Sequence, residues 1–434
     1  MSSKGKSTTA TDGESALSPK LRFPEFQDAN GWRVTKLNSL LFEAKHRNRS
    51  LELGPADVLS VSGEYGCVNQ IEFMGRSYAG VTVKDYHVVE HGDIVYTKSP
   101  LKKNPYGIIK ENKGKRGIVS TLYAVYRPNS QCCPTYLDHF FSVDFHLNSY
   151  LQPIVRKGAK NDMKVNNADV LKGDVCVPTL GEQQRIAECL DSADALIAAQ
   201  GRKVEVLRAY KKGLMQQLFP QEGETQPRLR FPEFEGTGEW IDDTLGNLFD
   251  ITSGGTPERS REEYWNGGIP WITTSLVNFN TISEAVEFIS EAGLKNSSAK
   301  IFPEKTILLA MYGQGKTRGQ VAMLGVRAAT NQACAAIMPR KDINQNFVFL
   351  SLVSRYEALR GISNSGGQEN LSQGLIKGLP FSFPSDPVEQ QRIADCLTSL
   401  DDLIAAETRK LDVLKTHKKG LMQQLFPAVG EADV

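Results

Sequence analysis

Two long stretches of the chain carry the same hydrophobic rhythm. Between residues 182 and 218 the apolar positions Ile186, Leu190, Ala193, Ile197, Val204, Leu207, Leu214 and Leu218 are separated by steps of four, three or seven. That period of 3.5 predicts a helix with a coiled-coil seam. Between 389 and 425 the same phase returns at Ile393, Leu397, Leu400, Ile404, Leu411, Leu414, Leu421 and Leu425. Each helix would be roughly 55 Å long at about 1.5 Å per residue. Pro220 and Pro427 end them. Elsewhere the pattern is mixed. Short β-type runs at Asp93–Thr97, Val119–Tyr126, Thr306–Met311 and Ala333–Met338 alternate with turn signals at Gly254-Gly255, Asn266-Gly267 and Gly366-Gly367. These predict loop-rich α/β domains.

The helices belong to a larger repeat. LRFPEF occurs at 21–26 and at 229–234, each followed by a tryptophan, Trp32 and Trp240. EQQRIAECL at 182–190 returns as EQQRIADCL at 389–397, and KKGLMQQLFP at 211–220 returns unchanged at 418–427. The chain is two copies of a unit of roughly two hundred residues. The segments between the matching blocks, 44–170 and 252–375, share little beyond a skeleton of strands and turns. A repeated frame with divergent inserts suits a molecule that reads two different things.

Connectivity sets the helix direction. If the middle domain is compact, the first helix ends near it and the second begins near it, so the two run antiparallel. Pseudo-two-fold symmetry would then place residues summing to about 618 side by side. Gln200 and Lys211 interrupt the first seam, Glu407 and Lys418 the second. That register would pair Lys211 with Glu407 and Gln200 with Lys418. The alternative is that these four lie on a solvated edge.

Composition agrees with a soluble globular protein: 434 residues, 40% hydrophobic and 23% charged. Lys plus Arg number 51 against 50 Asp plus Glu, so net charge identifies no partner. Seven cysteines in irregular spacing match neither a disulfide framework nor a zinc motif. No apolar run is long enough to span a membrane. The polar stretch MSSKGKSTTATDGESALS lacks the apolar core of a signal peptide, so a cytoplasmic protein with a disordered tail is expected. The boundaries expected are 1–18 tail, 19–180 first domain, 181–220 first helix, 221–228 linker, 229–387 second domain, 388–427 second helix and 428–434 tail.

Charge does segregate within the inserts. Lys98, Lys102, Lys103, Lys110, Lys113, Lys115 and Arg116 face only Glu111 between positions 98 and 116. In the second copy Lys316, Arg318, Arg327 and Arg340 occur without an acid between 309 and 340. Tyr96, Tyr106 and Tyr312 interleave with them. Lysine and arginine neutralise phosphates, and Gln, Asn and Arg read base edges. A lysine-rich solvated turn is the alternative. Enzyme motifs fall short. AMYGQGKT at 310–317 has Ala310 where a phosphate loop needs its first glycine. Asn104-Pro105-Tyr106 lacks the second proline of an amino-methyltransferase loop. The six histidines form no H-E-x-x-H pair and there is no nucleophile elbow. No catalytic and no metal-binding set is expected.

LRFPEF with its tryptophan, EQQRIA, KKGLMQQLFP, SGGTPERSREEYWNGGIPWITTSLVN at 253–278 and TNQACAAI at 330–337 resemble the specificity subunit of type I restriction–modification systems. The likeness runs from about Pro19 to Pro427. It implies two α/β target-recognition domains joined by two long antiparallel coiled-coil helices in a pseudo-two-fold repeat. Each domain would read one half of a split, asymmetric site in double-stranded DNA, the helices fixing the gap. It further implies a non-catalytic chain that binds no cofactor. Two methylation subunits and motor-nuclease subunits would be its partners, using S-adenosylmethionine, ATP and Mg. Recognition loops vary throughout that family, so DNA-contact candidates rest on position and chemistry. They are Lys98, Lys102, Lys103, Lys115, Arg116, Lys160 and Asn161 in the first copy. In the second they are Tyr312, Gln314, Lys316, Arg318, Gln368 and Asn370. The helix seam would be Ile186, Leu190, Ile197, Leu207 and Leu214 against Ile393, Leu397, Ile404, Leu414 and Leu421. Rival readings are a stand-alone methyltransferase or nucleotide hydrolase, which would turn over substrate alone, and a pure scaffold, which would bind all DNA sequences equally. A DNA mimic should be strongly acidic, unlike this chain.

Overall fold

A computed structural model describes residues 18–157, 163–221, 223–313, 316–362 and 370–427. Contacts divide the chain into two compact units, 1–200 with 410–434, and 201–409. Each unit combines one insert with a stretch of both long helices. Those helices are Leu180–Leu218 and Pro387–Leu425, 39 residues each.

Unit 1 is built on a four-stranded antiparallel sheet in the order Leu41–Glu43, Tyr123–Pro128, Ile94–Thr97, Ile108–Glu111. Unit 2 repeats it as Ile251–Ser253, Cys334–Ile337, Ile307–Ala310, Val321–Leu324, with Thr281–Ile282 added in parallel at the edge. In each unit a two-stranded ladder closes the insert on itself. Arg33–Lys36 pairs with Asp174–Val177, and Ile241–Thr244 pairs with Pro380–Phe383. Two sequence expectations need correction. The run Val119–Tyr126 is not one strand: a turn closed by the Tyr123 N–H to the Ser120 carbonyl splits it between two sheets. Asn266-Gly267 is not a hairpin turn but lies in a bulged stretch of the strand Trp265–Ile272, with Asn266 at φ 57°.

The repeated blocks meet at one junction per unit. In unit 1 the Arg22 guanidinium grips Glu182 through two hydrogen bonds, 2.8 and 2.7 Å, and the Trp32 indole N–H donates to the same carboxylate at 3.1 Å. In unit 2 Arg230 and Trp240 hold Glu389 at 2.7, 2.7 and 3.2 Å. Both carboxylates are fully enclosed, at 1% and 0% exposure. The Glu182 hydrogen bonds raise the Arg22 pKa, and Glu389 does the same to Arg230. The next helical residue, Gln183 or Gln390, accepts the backbone N–H of Cys133 or Asn344 at 2.9 or 2.8 Å. KKGLMQQLFP supplies the third side. Leu425 and Phe426, at and just past the end of the second helix, complete the core of unit 1, and Leu218 and Phe219, at and just past the end of the first, complete that of unit 2. The Leu21 N–H bonds the Gln424 carbonyl and the Leu229 N–H that of Gln217, at 3.0 and 2.9 Å. Each pairing satisfies a carbonyl that a helix C-terminus leaves open.

This junction explains where the seam residues lie. Ile186, Leu190, Ile393 and Leu397 are buried in the unit cores, while Ile197, Leu207, Leu214, Ile404, Leu414 and Leu421 are half-buried along the helices. It also corrects the expected register. Lys211 pairs with Asp401 at 2.5 Å and not with Glu407, which takes Lys203 at 2.7 Å; Lys418 pairs with Asp194 at 2.6 Å. The pairs run in opposite senses along the helices, and Lys211–Asp401 and Lys418–Asp194 each sum to 612 rather than 618. The cores decide this. Burying Phe219 or Phe426 is worth about 2–3 kcal/mol, against at most about 1 kcal/mol for a partly exposed ion pair.

Replacing Glu389 by Ala strands a largely buried guanidinium and an indole N–H. A loss of about 3 kcal/mol is expected, read as a lower urea midpoint and faster amide exchange across 229–245 than in the parent chain.

Candidate nucleic-acid interface

The hairpin Ile94–Thr97/Ile108–Glu111 positions the first group of basic candidates. Its tip, 98–107, carries Lys98, Lys102 and Lys103 at one end of the sheet. The tip is braced from behind. Asn104 Nδ2 donates to Asp144 at 2.8 Å, Asn148 Nδ2 to the Lys103 carbonyl at 3.2 Å, and the Tyr96 hydroxyl to the Tyr106 carbonyl at 2.8 Å. Gly107, at φ 96°, closes the turn where an added Cβ would stand 2.1 Å from the Thr97 carbonyl oxygen. The Tyr96 hydroxyl also lies 3.9 Å from Met163 Sδ. That brings the short hairpin of strands Arg156–Lys157 and Met163–Lys164 against the same tip. Lys160 and Asn161 fall between those strands, outside the described residues.

A third segment joins them that the sequence reading passed over. Residues 44–49, AKHRNR, leave the strand Leu41–Glu43 at the same sheet end. They are stitched to His87–Val89 by the Val88 N–H to the His46 carbonyl and the Asn48 N–H to the Tyr86 carbonyl, 3.0 and 2.9 Å. Burial pulls the Lys98 pKa down, and Arg47 acts in the same direction against Glu43. Lys45, Arg49, Lys98, Lys102 and Lys103 make no side-chain ion pair or hydrogen bond among the described residues. The alternating basic residues at 45, 47 and 49 were the available signal.

Lys115 and Arg116 are placed apart from this group. They follow the far end of Ile108–Glu111, about 10 Å away along a strand of four residues. Arg116 is engaged there by Glu90 at 3.0 Å and Glu52 at 3.5 Å.

Unit 2 assembles the same three segments. The tip 311–320 follows Ile307–Ala310, and the Leu371 N–H to the Met311 carbonyl, 3.0 Å, sets Asn370 beside it. Tyr312 and Lys316 are exposed, and Tyr356 bonds the Lys316 carbonyl from behind. Arg318 turns inward and donates to the Arg360 carbonyl at 2.8 Å. Gln314 and Gln368 lie outside the described residues. The third segment, 254–261, follows Ile251–Ser253. Its Gly254 packs so closely that an added Cβ would lie 1.9 Å from the Thr330 carbonyl oxygen. Amides that sequence reasoning missed lie here: Gln320 donates to Asn278 at 3.0 Å and Thr256 to Gln332 at 2.6 Å, all exposed or nearly so. Such groups, scattered singly along the chain, gave no spacing signal. Unit 1 thus offers unpaired ammonium groups and unit 2 amides with an exposed tyrosine. Chemically these are phosphate and base-edge partners.

Comparisons with known proteins give a family likeness for part of the chain and a fold likeness for most of it. Residues 237–416 match the type I restriction modification DNA specificity domain. The matched part of the chain, about two fifths of it, is similar to type I specificity subunits. The chain is 31% identical over 193 residues to the MjaIX specificity subunit of Methanocaldococcus jannaschii, covering 43% of this chain and 44% of that one. Against the EcoR124I/EcoR124II specificity subunit of Escherichia coli it is 30% identical over 181 residues, 41% and 44% of the two chains. These matches span less than half the length of either relative. The fold extends further. The S subunit of the type I system from M. genitalium superposes with a TM-score of 0.56 at 14% identity, covering 95% of this chain and all of that one. A subunit from a study of type I assembly and conformational transition gives the same TM-score at 17% identity, covering 92% and 98%. Among the described residues no helix is long and apolar enough to cross a membrane.

The 44–49 segment carries a pH dependence. His87 is buried and neutral, its pKa lowered to about 4 by burial first and then by Arg47. Its unfolded value is near 6.5, so stability is full above that and falls as pH drops toward 4, where the unfolded chain takes up the proton first. His87→Gln should flatten the slope of the urea midpoint between pH 6.5 and 4; an unchanged slope would refute this assignment.

Proposed function

We propose that this chain is the non-catalytic DNA-recognition subunit of a type I restriction–modification complex, each unit's three-segment surface reading one half of a split, asymmetric site. The observation that carries the proposal is one frame bearing two chemically different surfaces at equivalent positions. Lysines at 98, 102 and 103 with Lys45 and Arg49 would hold phosphates in one half-site. Tyr312, Lys316, Asn370 and the amides of Asn278 and Gln320 would act in the other. The long helices form an antiparallel coiled-coil spacer between recognition domains near 19–180 and 229–387, and their length sets the gap. The complex would act in the cytoplasm. Methyl transfer from S-adenosylmethionine and Mg- and ATP-dependent cleavage would reside in the partner subunits.

The helix pair also exposes two repeat-related leucine–valine sets, Leu196 with Val413 in unit 1 and Leu403 with Val206 in unit 2, where Val388 is exposed as well. The duplicated pattern fits docking of two copies of a methylation subunit.

Co-expression with the cognate methylation subunit in a host lacking adenine methylation, followed by single-molecule sequencing, tests the reading. A split motif methylated on both strands is expected. Exchanging residues 229–385 for another recognition domain should alter one half only; methylation independent of sequence would favour a scaffold instead.

Val206→Glu with Val413→Glu should leave the circular dichroism spectrum unchanged and abolish co-purification of the methylation subunit. Retention of that subunit at parental stoichiometry would place docking elsewhere.

A further inference from the structure

Unit 1 contains a cavity of about 650 Å³ where the insert meets the two long helices. Glu111, His139, Asp191, Asp194 and Lys418 line it. His139 Nε2 and one oxygen each of Asp191 and Asp194 lie within 4.8 Å of one another, with 2.9 Å between His139 and Asp191. Tetrahedral ligands at about 2.1 Å from an ion stand roughly 3.4 Å apart, so small side-chain rotations would close the set. Glu111 is an independent pointer. Its side chain is 5% exposed, and its Oε2 accepts no hydrogen bond. The Lys113 ammonium sits between, 2.7 Å from Asp191 and 3.9 Å from Glu111. It occupies the place of a cation, on a side chain 42% exposed and free to leave.

The other unit shows that the junction does not need this cluster. Tyr136 and Phe347 occupy matching places against Trp32 and Trp240, which aligns His139 with Leu350. The helix repeat aligns Asp191 with Thr398. Unit 2 keeps the Lys211–Asp401 pair, the counterpart of Lys418–Asp194, yet has a buried Leu350 in place of His139 and an exposed Thr398 in place of Asp191. His139 is buried at 3% exposure, while Asp191 and Asp194 stay about half exposed, so the cluster opens to solvent from which an ion can enter.

We propose that His139, Asp191 and Asp194, beside the buried Glu111 carboxylate, form a site for one divalent transition-metal ion of the zinc class. An imidazole with carboxylates favours such an ion over magnesium, which prefers oxygen donors and retained water. The ion displaces the ammonium groups of Lys113 and Lys418. It ties the helix Pro134–Phe141 to the first long helix, so that one recognition domain is clamped to its helix and the other is not.

The full-length chain, stripped with a chelator, is titrated calorimetrically with Zn²⁺, and bound metal is measured after gel filtration. One ion per chain is expected. His139→Leu and Asp191→Thr install the residues of unit 2, so both should fold with unchanged circular dichroism and lose the ion. Lys113→Ala removes the competing ammonium and should bind more tightly. Failure of the parent chain to retain stoichiometric zinc, or retention of it by the folded His139→Leu chain, overturns the site.

Discussion

The buried glutamate at the head of each long helix is the contact on which the rest of the structure depends. A carboxylate enclosed at 1% or 0% exposure is costly to desolvate, and only a full set of donors offsets that. Arg22 with Trp32, and Arg230 with Trp240, supply it. The geometry is demanding: two parallel guanidinium bonds and an indole N–H must converge on one group. LRFPEF, the tryptophan and EQQR must therefore fold together or not at all. Because the arginine precedes the insert and the glutamate follows it, this contact closes the insert into a domain and aims it from the helix end. The remaining repeated block, KKGLMQQLFP, arrives from the opposite helix, so the junction joins both helices to each unit.

Much of this was legible in the sequence. Repeated blocks identified the frame, and the 3.5-residue period located the helices to within a few residues of Leu180–Leu218 and Pro387–Leu425. The register was not legible. Counting polar seam positions gave Lys211 a partner at Glu407, because nothing in the pattern shows how far phenylalanines 219 and 426 sink into the cores. Once they do, Asp401 is the acid within reach.

The interface was legible in part. A run of lysines beside a strand marks a hairpin tip, and the tip at 98–107 is there. The same run continued to Arg116, and linear proximity grouped residues that a strand carries to opposite ends of the sheet. The reverse error hid residues 44–49. They are distant from Lys98 in sequence but neighbours across the sheet, because the strand before them runs parallel to the strand before Lys98. Sheet order, absent from any local pattern, decides both cases. The His139, Asp191 and Asp194 cluster was hidden for the same reason, since its members approach through tertiary packing and not through spacing.

The division of labour between repeated and divergent segments has a physical logic. The polar closing contacts of each unit use side chains from the repeated blocks, and the inserts meet them with backbone N–H groups, Cys133 and Asn344, and with packed aromatic rings, Tyr136 and Phe347. A backbone donor is available whatever side chain stands at that position. The tips at 98–107 and 311–320 are braced by local contacts that differ between the units, Asn104 to Asp144 in one and Tyr356 to the Lys316 carbonyl in the other. Side chains on the outer surface of a tip can then change without disturbing the junction, since none of them touches the buried glutamate. Folding and recognition are carried by different residues, which is the condition under which one frame can hold two unlike surfaces.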